Sequence, residues 1–343
     1  MSTLSSARRL LLPLVPLYRL ALGLRGFGLR GFGLRLGWSP VQRLHSPVIS
    51  VGNLATGGAG KTPLILTLAR ALEGRGLRVD VLSRGYGRQS RRVACVPADG
   101  NAQEFGDEPL LIARETGLRV YVAPRRFDAG QRAEAEGNAG GDRRQLVHLL
   151  DDGFQHRQLA RTVDIVLVSG RDWRDGLLPA GNLREPRAAL RRADVLAVPA
   201  EEPEGQTLEK ELRRWGWNGP VWRLRRVMDV PPVAGPVAAF CGIARPEQFF
   251  AGLEGAGIDI LLRRTFPDHF PYSRTVLEDL AAEARQRPVA AILTTGKDRV
   301  RMGELASVFS ASIPLKAVGL RVEIENQDAA LDWLIERLKE PVS

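Results

Sequence analysis

Pro47-Val-Ile-Ser-Val-Gly-Asn-Leu-Ala-Thr-Gly-Gly-Ala-Gly-Lys-Thr62 begins as an apolar run, reaches a glycine, and opens into a loop of small residues closed by Gly-Lys-Thr. Residues 47–52 predict a buried strand, and Pro63 to Leu72 continue with apolar residues at helical period. Small residues let backbone N–H groups wrap phosphate oxygens. Lys61 can then reach the outer phosphates, Thr62 can offer its hydroxyl to Mg²⁺, and the following helix aims its positive end at the anion. The strict phosphate-loop pattern has glycine at position 55, where this chain has Ala55, so the loop is a variant. The strand before it and the helix after it hold the reading in place. Gly57, Gly58, Ala59, Gly60, Lys61 and Thr62 are the candidate nucleotide-binding residues.

Working outward, Arg78-Val-Asp-Val-Leu-Ser83 reads as the next strand. Strand, loop, helix and strand within about thirty residues make a βαβ unit and predict a parallel sheet. Further strands are expected at 119–123, 145–150, 163–168, 195–198, 237–240, 290–294 and 315–318, with helical patterns between most of them. Leu146-Val-His-Leu-Leu-Asp-Asp152 is an apolar strand ending in two acids. In a parallel sheet such carboxylates sit beside the phosphate loop, on the magnesium side. Asp151 and Asp152 are therefore candidate metal ligands with Thr62. The fold class is α/β: a mainly parallel sheet of the P-loop NTPase type flanked by helices, with a smaller C-terminal α/β domain. Pro220, Pro231, Pro232 and Pro236 cluster at the expected boundary. The predicted division is a membrane-associated segment 1–37, a P-loop domain 38–220, a β-rich connector 221–236 and an α/β domain 237–343.

The chain has 343 residues, 44 % of them hydrophobic, enough for a large core or two. Its net charge of +10 favours a polyanionic partner, although only five of its basic residues are lysine and arginine-rich composition alone would give the same excess. Cys95 and Cys241 are the only cysteines, which points away from a zinc site or disulfide framework and suits a reducing compartment. Residues 1–45 carry seven arginines and no acid. The apolar stretch 10–24 is interrupted by Pro13, Pro16 and Arg19 and is shorter than a spanning helix needs. With the repeat GLRGF-GLRGF-GLRLG at 23–37, it reads as an interfacial segment whose Leu, Phe and Trp side chains enter a bilayer while Arg meets anionic lipid. A helix packed on the protein's own core is the alternative.

Two further motifs have no generic reading. Phe105-Gly-Asp-Glu-Pro109 sets Asp107 and Glu108 at a helix start, where acids meet the positive end. Phe266-Pro-Asp-His-Phe-Pro-Tyr272 holds one of four histidines between two prolines, a rigid setting for a functional side chain.

Taken in order, SVGNL (50–54), GGAGKTP (57–63), LSRGYGR (82–88), GDEP (106–109), DDGFQH (151–156), REP (184–186) and FPDH (266–269) resemble the tetraacyldisaccharide 4'-kinase family of lipid A biosynthesis. The resemblance runs from about residue 8 to about residue 335. It implies an ATP- and Mg²⁺-dependent kinase that phosphorylates the 4'-hydroxyl of an acylated glucosamine disaccharide 1-phosphate. It implies a location at the cytoplasmic face of the inner membrane, peripheral or monotopic on an anionic surface. By the same resemblance Asp107 is the catalytic base with Glu108 beside it, His269 pairs with that base when two domains close, and Lys61 and Thr62 serve phosphate and magnesium. Gln155 and His156 follow the two acids, Gln155 on the metal side, and Arg184 and Glu185 form an Arg–Glu pair near the nucleotide. Tyr86 and Arg126 are weaker matches. Ala59 replaces the family's usual Thr, and Gly296 in Thr294-Thr-Gly-Lys-Asp298 replaces an expected Glu, which leaves that segment without an assigned role.

The alternative is a membrane-associated switch ATPase of the partitioning or insertion type. Its signature lysine should precede the two glycines, where this chain has Thr56. A nucleic-acid-binding NTPase is the third reading. The chain carries no zinc finger, aromatic RNA-binding motif or clustered basic run of that kind, and no nucleic-acid partner is expected.

Overall fold

The structure, a computed structural model, describes residues 8, 10–26, 41–57, 60–139, 142–201, 204–309 and 313–340. Gly58, Ala59 and most of the glycine repeat at 23–37 lie outside them.

β1 (Val48–Asn53) runs parallel between β5 (Leu146–Asp151) and β6 (Val163–Leu167). All six of its residues are buried, as expected for a strand covered on both faces. β2 (Arg78–Ser83), β4 (Arg119–Val122) and the two-residue β3 (Ala94–Cys95) extend the sheet on one side of β5. β7 (Val195–Pro199) and β8 (Val221–Asp229) extend it on the other side of β6. β8 then pairs with β12 (Leu315–Ile324), beyond which come β11 (Ala291–Thr295), β9 (Val237–Cys241) and β10 (Ile260–Thr265). The twelve strands form one sheet, antiparallel only at β8–β12 and β3–β4. Residues 221–229, the first part of the expected β-rich connector, form a strand of this sheet.

β12 fixes how the two halves meet. Its first residues pair parallel with β11 and its last residues antiparallel with β8. The C-terminal strands therefore run toward the N-terminal ones, and the carboxyl ends of the two parallel sets face each other. Ligand sites of α/β sheets lie at carboxyl ends. Here two such edges converge on one space.

The helices with a role below are α1 (Val15–Gly26), α2 (Lys61–Gly74), α3 (Asp107–Thr116), α4 (Arg126–Ala139), α5 (Glu204–Arg214), α6 (Pro246–Gly255), α7 (Arg274–Arg285), α8 (Gly296–Met302) and α9 (Gln327–Lys339). The largest core packs Leu64, Ile65, Leu68 and Leu72 of α2 against β1, β2 and β5. Leu331, Leu334 and Leu338 of α9 join that same core, so the chain's end returns to its N-terminal half. The opposite face gathers Phe154, Trp173, Leu190, and Leu208 and Leu212 of α5; Val15, Tyr18 and Leu22 of α1 lie on it. The C-terminal strands are covered by α7 on one face and α6 on the other.

The expected strands all appear, within a residue or so at most ends, though β12 runs well past its expected end. β10 was not expected: its apolar run is only Ile260-Leu-Leu262, broken by Arg263 and Arg264, shorter than the run that marks a buried strand in sequence.

Candidate active site

β1 ends at Asn53, and Asn53 is the hub of the phosphate-loop end. Its Oδ1 accepts from Lys61 Nζ at 3.0 Å and from Arg184 Nη2 at 2.6 Å. Its carbonyl accepts from Gln155 Nε2 at 2.9 Å and from Arg184 Nη2 at 3.0 Å. Gly52 before it lets the Asp-Asp-Gly-Phe turn approach, since a Cβ there would sit 2.6 Å from Phe154 Cβ. Gly57 and Gly60, the described glycines of the loop, both have positive φ (94° and 85°), which side-chain-bearing residues adopt with strain.

The two acids at the end of β5 behave differently. Arg184 grips Asp152 through both guanidinium nitrogens, at 2.8 and 2.9 Å, and Lys61 Nζ lies 3.5 Å from it. Burial alone would raise the Asp152 pKa, but Arg184 and Lys61 outweigh it and hold the carboxyl well below the ordinary range. Among the described residues Asp151 receives only the Ser83 hydroxyl, at 2.9 Å. Burial, then the Glu108 and Asp152 carboxylates, push it up to about 7. Among the described residues, Asp151 Oδ1 and Gln155 Oε1 are buried acceptors with no hydrogen-bond partner. Two acids at one strand end, with an Asp151 oxygen and the Gln155 side-chain carbonyl oxygen left unpaired among the described residues, suit a hard divalent cation. Among the described residues no group of three or more His, Cys, Asp or Glu converges, and a magnesium ion carried on nucleotide phosphates takes only one or two carboxylates. Glu185 is joined to Arg192 at 2.6 Å, and Arg184 spends its fork on Asp152 and Asn53.

Asp107 and Glu108 open α3 from the N-terminal half and meet groups from the C-terminal half. His269 Nδ1 lies 3.0 Å from Asp107 Oδ2, and against an ionised carboxylate it is the donor. Arg301 Nη2 donates to the same oxygen at 2.6 Å. Asp107 Oδ1 accepts the Glu108 N–H at 2.9 Å. Burial would raise the Asp107 pKa, but the bonds from His269 and Arg301 keep it far below the ordinary value. The bond to Asp107 raises the pKa of His269. His269 and Asp152 both have left-handed backbones (φ 59° and 49°), a conformation costing roughly 1–3 kcal/mol that clusters at working sites. The Tyr86 ring lies 5.3 Å from that of His269.

Glu108 is paired with Lys297, one turn before Arg301 on α8. The segment 294–298, left without a role by the sequence, thus supplies Lys297 to Glu108, and the helix it opens supplies Arg301 to Asp107. Asp298 is fully buried and holds Arg301 at 2.9 Å. It accepts from the Gly242 N–H at 3.1 Å and from the Tyr272 hydroxyl at 2.9 Å. Arg126, buried beside Asp151 and Asp152, is lowered to about 10 by burial.

Lys61, Asp152, Gln155 and Arg184 thus meet at Asn53, while Asp107, Glu108, His269, Lys297 and Arg301 meet where α3 faces α8. The Glu108 charge reaching Asp151 ties the two clusters together. The family model described as tetraacyldisaccharide-1-P 4'-kinase matches residues 7–339. The chain belongs to this family. It is 42 % identical to the tetraacyldisaccharide 4'-kinase of Koribacter versatilis, over 86 % of this chain and 90 % of that one. It is 36 % identical to the enzyme of the same name from Aeromonas hydrophila, over 97 % and 93 %. The crystal structure of LpxK from Aquifex aeolicus in complex with ATP superposes with a TM-score of 0.72 at 30 % identity, covering 97 % of this chain and 100 % of that one.

Sequence reasoning missed Asn53, Lys297, Asp298 and Arg301. Asn53 had a signal: a polar residue closing a strand that is otherwise apolar. The other three are nearly 200 positions from Asp107 and Glu108, beyond any local pattern.

Proposed function

We propose that this member of the family transfers the γ-phosphoryl group of ATP to the 4'-hydroxyl of a tetraacylated glucosamine disaccharide 1-phosphate. The observation that carries this reading is the meeting of Asp107 with His269 across the facing carboxyl edges, beside Lys61 and the acids of β5. The attacking oxygen forms a bond to phosphorus as the bond to the β-phosphate oxygen breaks, ADP leaves, and the hydroxyl proton passes to Asp107. Phosphoryl transfer asks mainly for alignment and charge neutralisation. An Asp107 so weakly basic acts when the attacking oxygen has already become acidic, late in the transfer. His269 orients the carboxylate. Lys61 and the loop amides neutralise phosphate charge, with Arg184 holding Asp152 in place. Thr62, Asp151, Asp152 and Gln155 would hold magnesium, which supplies charge neutralisation between the phosphates.

The reading places the chain on the cytoplasmic face of the inner membrane. No helix among the described residues is long and apolar enough to cross a bilayer. Leu10, Leu17 and Leu20 are more than half exposed while Val15, Tyr18 and Leu22 face the core, so the N-terminal helical segment offers an apolar face outward.

The test is transfer of radiolabel from γ-labelled ATP to the disaccharide 1-phosphate in detergent micelles. Lys61→Ala should abolish transfer. ATP turnover stimulated by a protein partner, with no label reaching the lipid, would favour a switch ATPase instead.

A further inference from the structure

On β8, Trp222, Leu224 and Arg226 alternate onto one face. Trp222 and Leu224 belong to the core that α2 covers, and so does Val322, the direct cross-strand partner of Arg226. α2 is bound to this ribbon, with the Thr67 hydroxyl donating to the Val322 carbonyl at 2.6 Å. β7 stops pairing at Leu224. Arg226 is therefore the next residue on the core face, just past the neighbouring strand, at the end of the sheet where α2 begins.

Its guanidinium is oriented there. Nη1 is drawn back by Gln248 Oε1 of α6 at 2.8 Å. The other edge faces the phosphate loop: Nη2 and Nε lie 3.5 and 3.8 Å from where a Cβ on Gly60 would stand. Nε and Nη2 form the fork by which arginine binds phosphate or carboxylate with two parallel hydrogen bonds. Among the described residues no carboxylate comes within ion-pair distance of Arg226. Asp172 is bound instead to the adjacent Arg245 at 3.1 Å. Burial, and then the Arg245 charge, lower the Arg226 pKa. Glu201, Glu204 and Asp172 act on it only from beyond ion-pair distance; a partly desolvated cation without a close counter-ion is costly, and a bound anion would relieve the cost.

We propose that Arg226 is a phosphate-binding residue of the nucleotide site, delivered by β8 to the last glycine of the loop and steadied by Gln248. The inference rests on the kinase reading insofar as the anion is a nucleoside triphosphate. Arg226 adds to Lys61 a planar, two-pronged contact from an element shared by both halves of the sheet.

The experiment is ATP binding to the full chain in detergent by calorimetry at two salt concentrations, with adenosine as a phosphate-free control. R226Q should weaken ATP binding about tenfold or more and flatten its salt dependence, leaving adenosine unchanged. R226K, which keeps the charge and loses the fork, should fall between. It carries the test if thermal melting shows R226Q unfolded, and ATP affinity within about twofold of wild type would then overturn the proposal. An R226Q protein with an intact melt that binds ATP within about twofold of wild type would likewise overturn it. So would equal losses for ATP and adenosine. Failure of the wild type itself to bind ATP would instead sink the nucleotide reading beneath it.

Discussion

In the proposed reaction Asp107 is the residue on which the chemistry turns, and its surroundings make specific demands. Asp107→Asn keeps the shape and removes the proton acceptor. It should lower single-turnover transfer by about 10²–10⁴-fold with ATP binding retained, and activity near wild type would remove Asp107 from the role. Arg301→Gln frees one of the two donors on Asp107 Oδ2. We expect kcat to fall about tenfold or more while the KM for ATP stays nearly constant, with partial rescue by Arg301→Lys, measured by steady-state kinetics. His269 gives a pH signature. Its folded-state pKa is raised, so its attraction to Asp107 is complete below the ordinary histidine value and fades as pH rises through the folded one. The wild type should therefore exceed His269→Gln in melting temperature by more at pH 6 than at pH 9. These residues were unequally legible. Lys61, Thr62, Asp151 and Asp152 follow from loop and strand chemistry alone. Asp107 and His269 came through the family resemblance, because generic capping explains an acid at a helix start equally well. Arg301 and Lys297 stayed hidden, since an i,i+4 pair of cations on a seven-residue helix says nothing about which acids it faces.

At the scale of elements, α9 ties the C-terminal end of the described residues into the N-terminal core. Leu334 is fully buried among side chains of the N-terminal half although it stands at the far end of the chain. Leu334→Ala should cost about 2–5 kcal/mol, the usual penalty of a leucine-sized cavity, and lower the urea midpoint of unfolding. An unchanged midpoint would mean that α9 is not integral to that core. Strand positions were legible because fully buried parallel strands read as uninterrupted apolar runs, as in β1, β5 and β6. β10 was not, because an edge strand carrying Arg263 and Arg264 resembles loop. The company that α9 keeps was also unreadable: amphipathic period says that a helix packs, not against what.

For the whole molecule, the exposed leucines of the N-terminal helical segment predict behaviour at a lipid surface. Leu17→Glu with Leu20→Glu should abolish flotation with anionic vesicles, yet leave transfer to a detergent-dispersed acceptor nearly intact. Flotation equal to wild type would place the membrane contact elsewhere. The facing of two carboxyl edges could not be foreseen from sequence, because it depends on β12 pairing parallel on one side and antiparallel on the other.

That arrangement has a mechanical consequence. Six registered residue pairs between β8 and β12 tie the body carrying the phosphate loop to the body carrying His269. Sliding or detaching along this seam would sever main-chain bonds, whereas coiling a two-stranded ribbon costs far less. Relative motion of the two bodies is therefore confined to torsion and bowing of one elastic strip, and each excursion is drawn back to the same alignment.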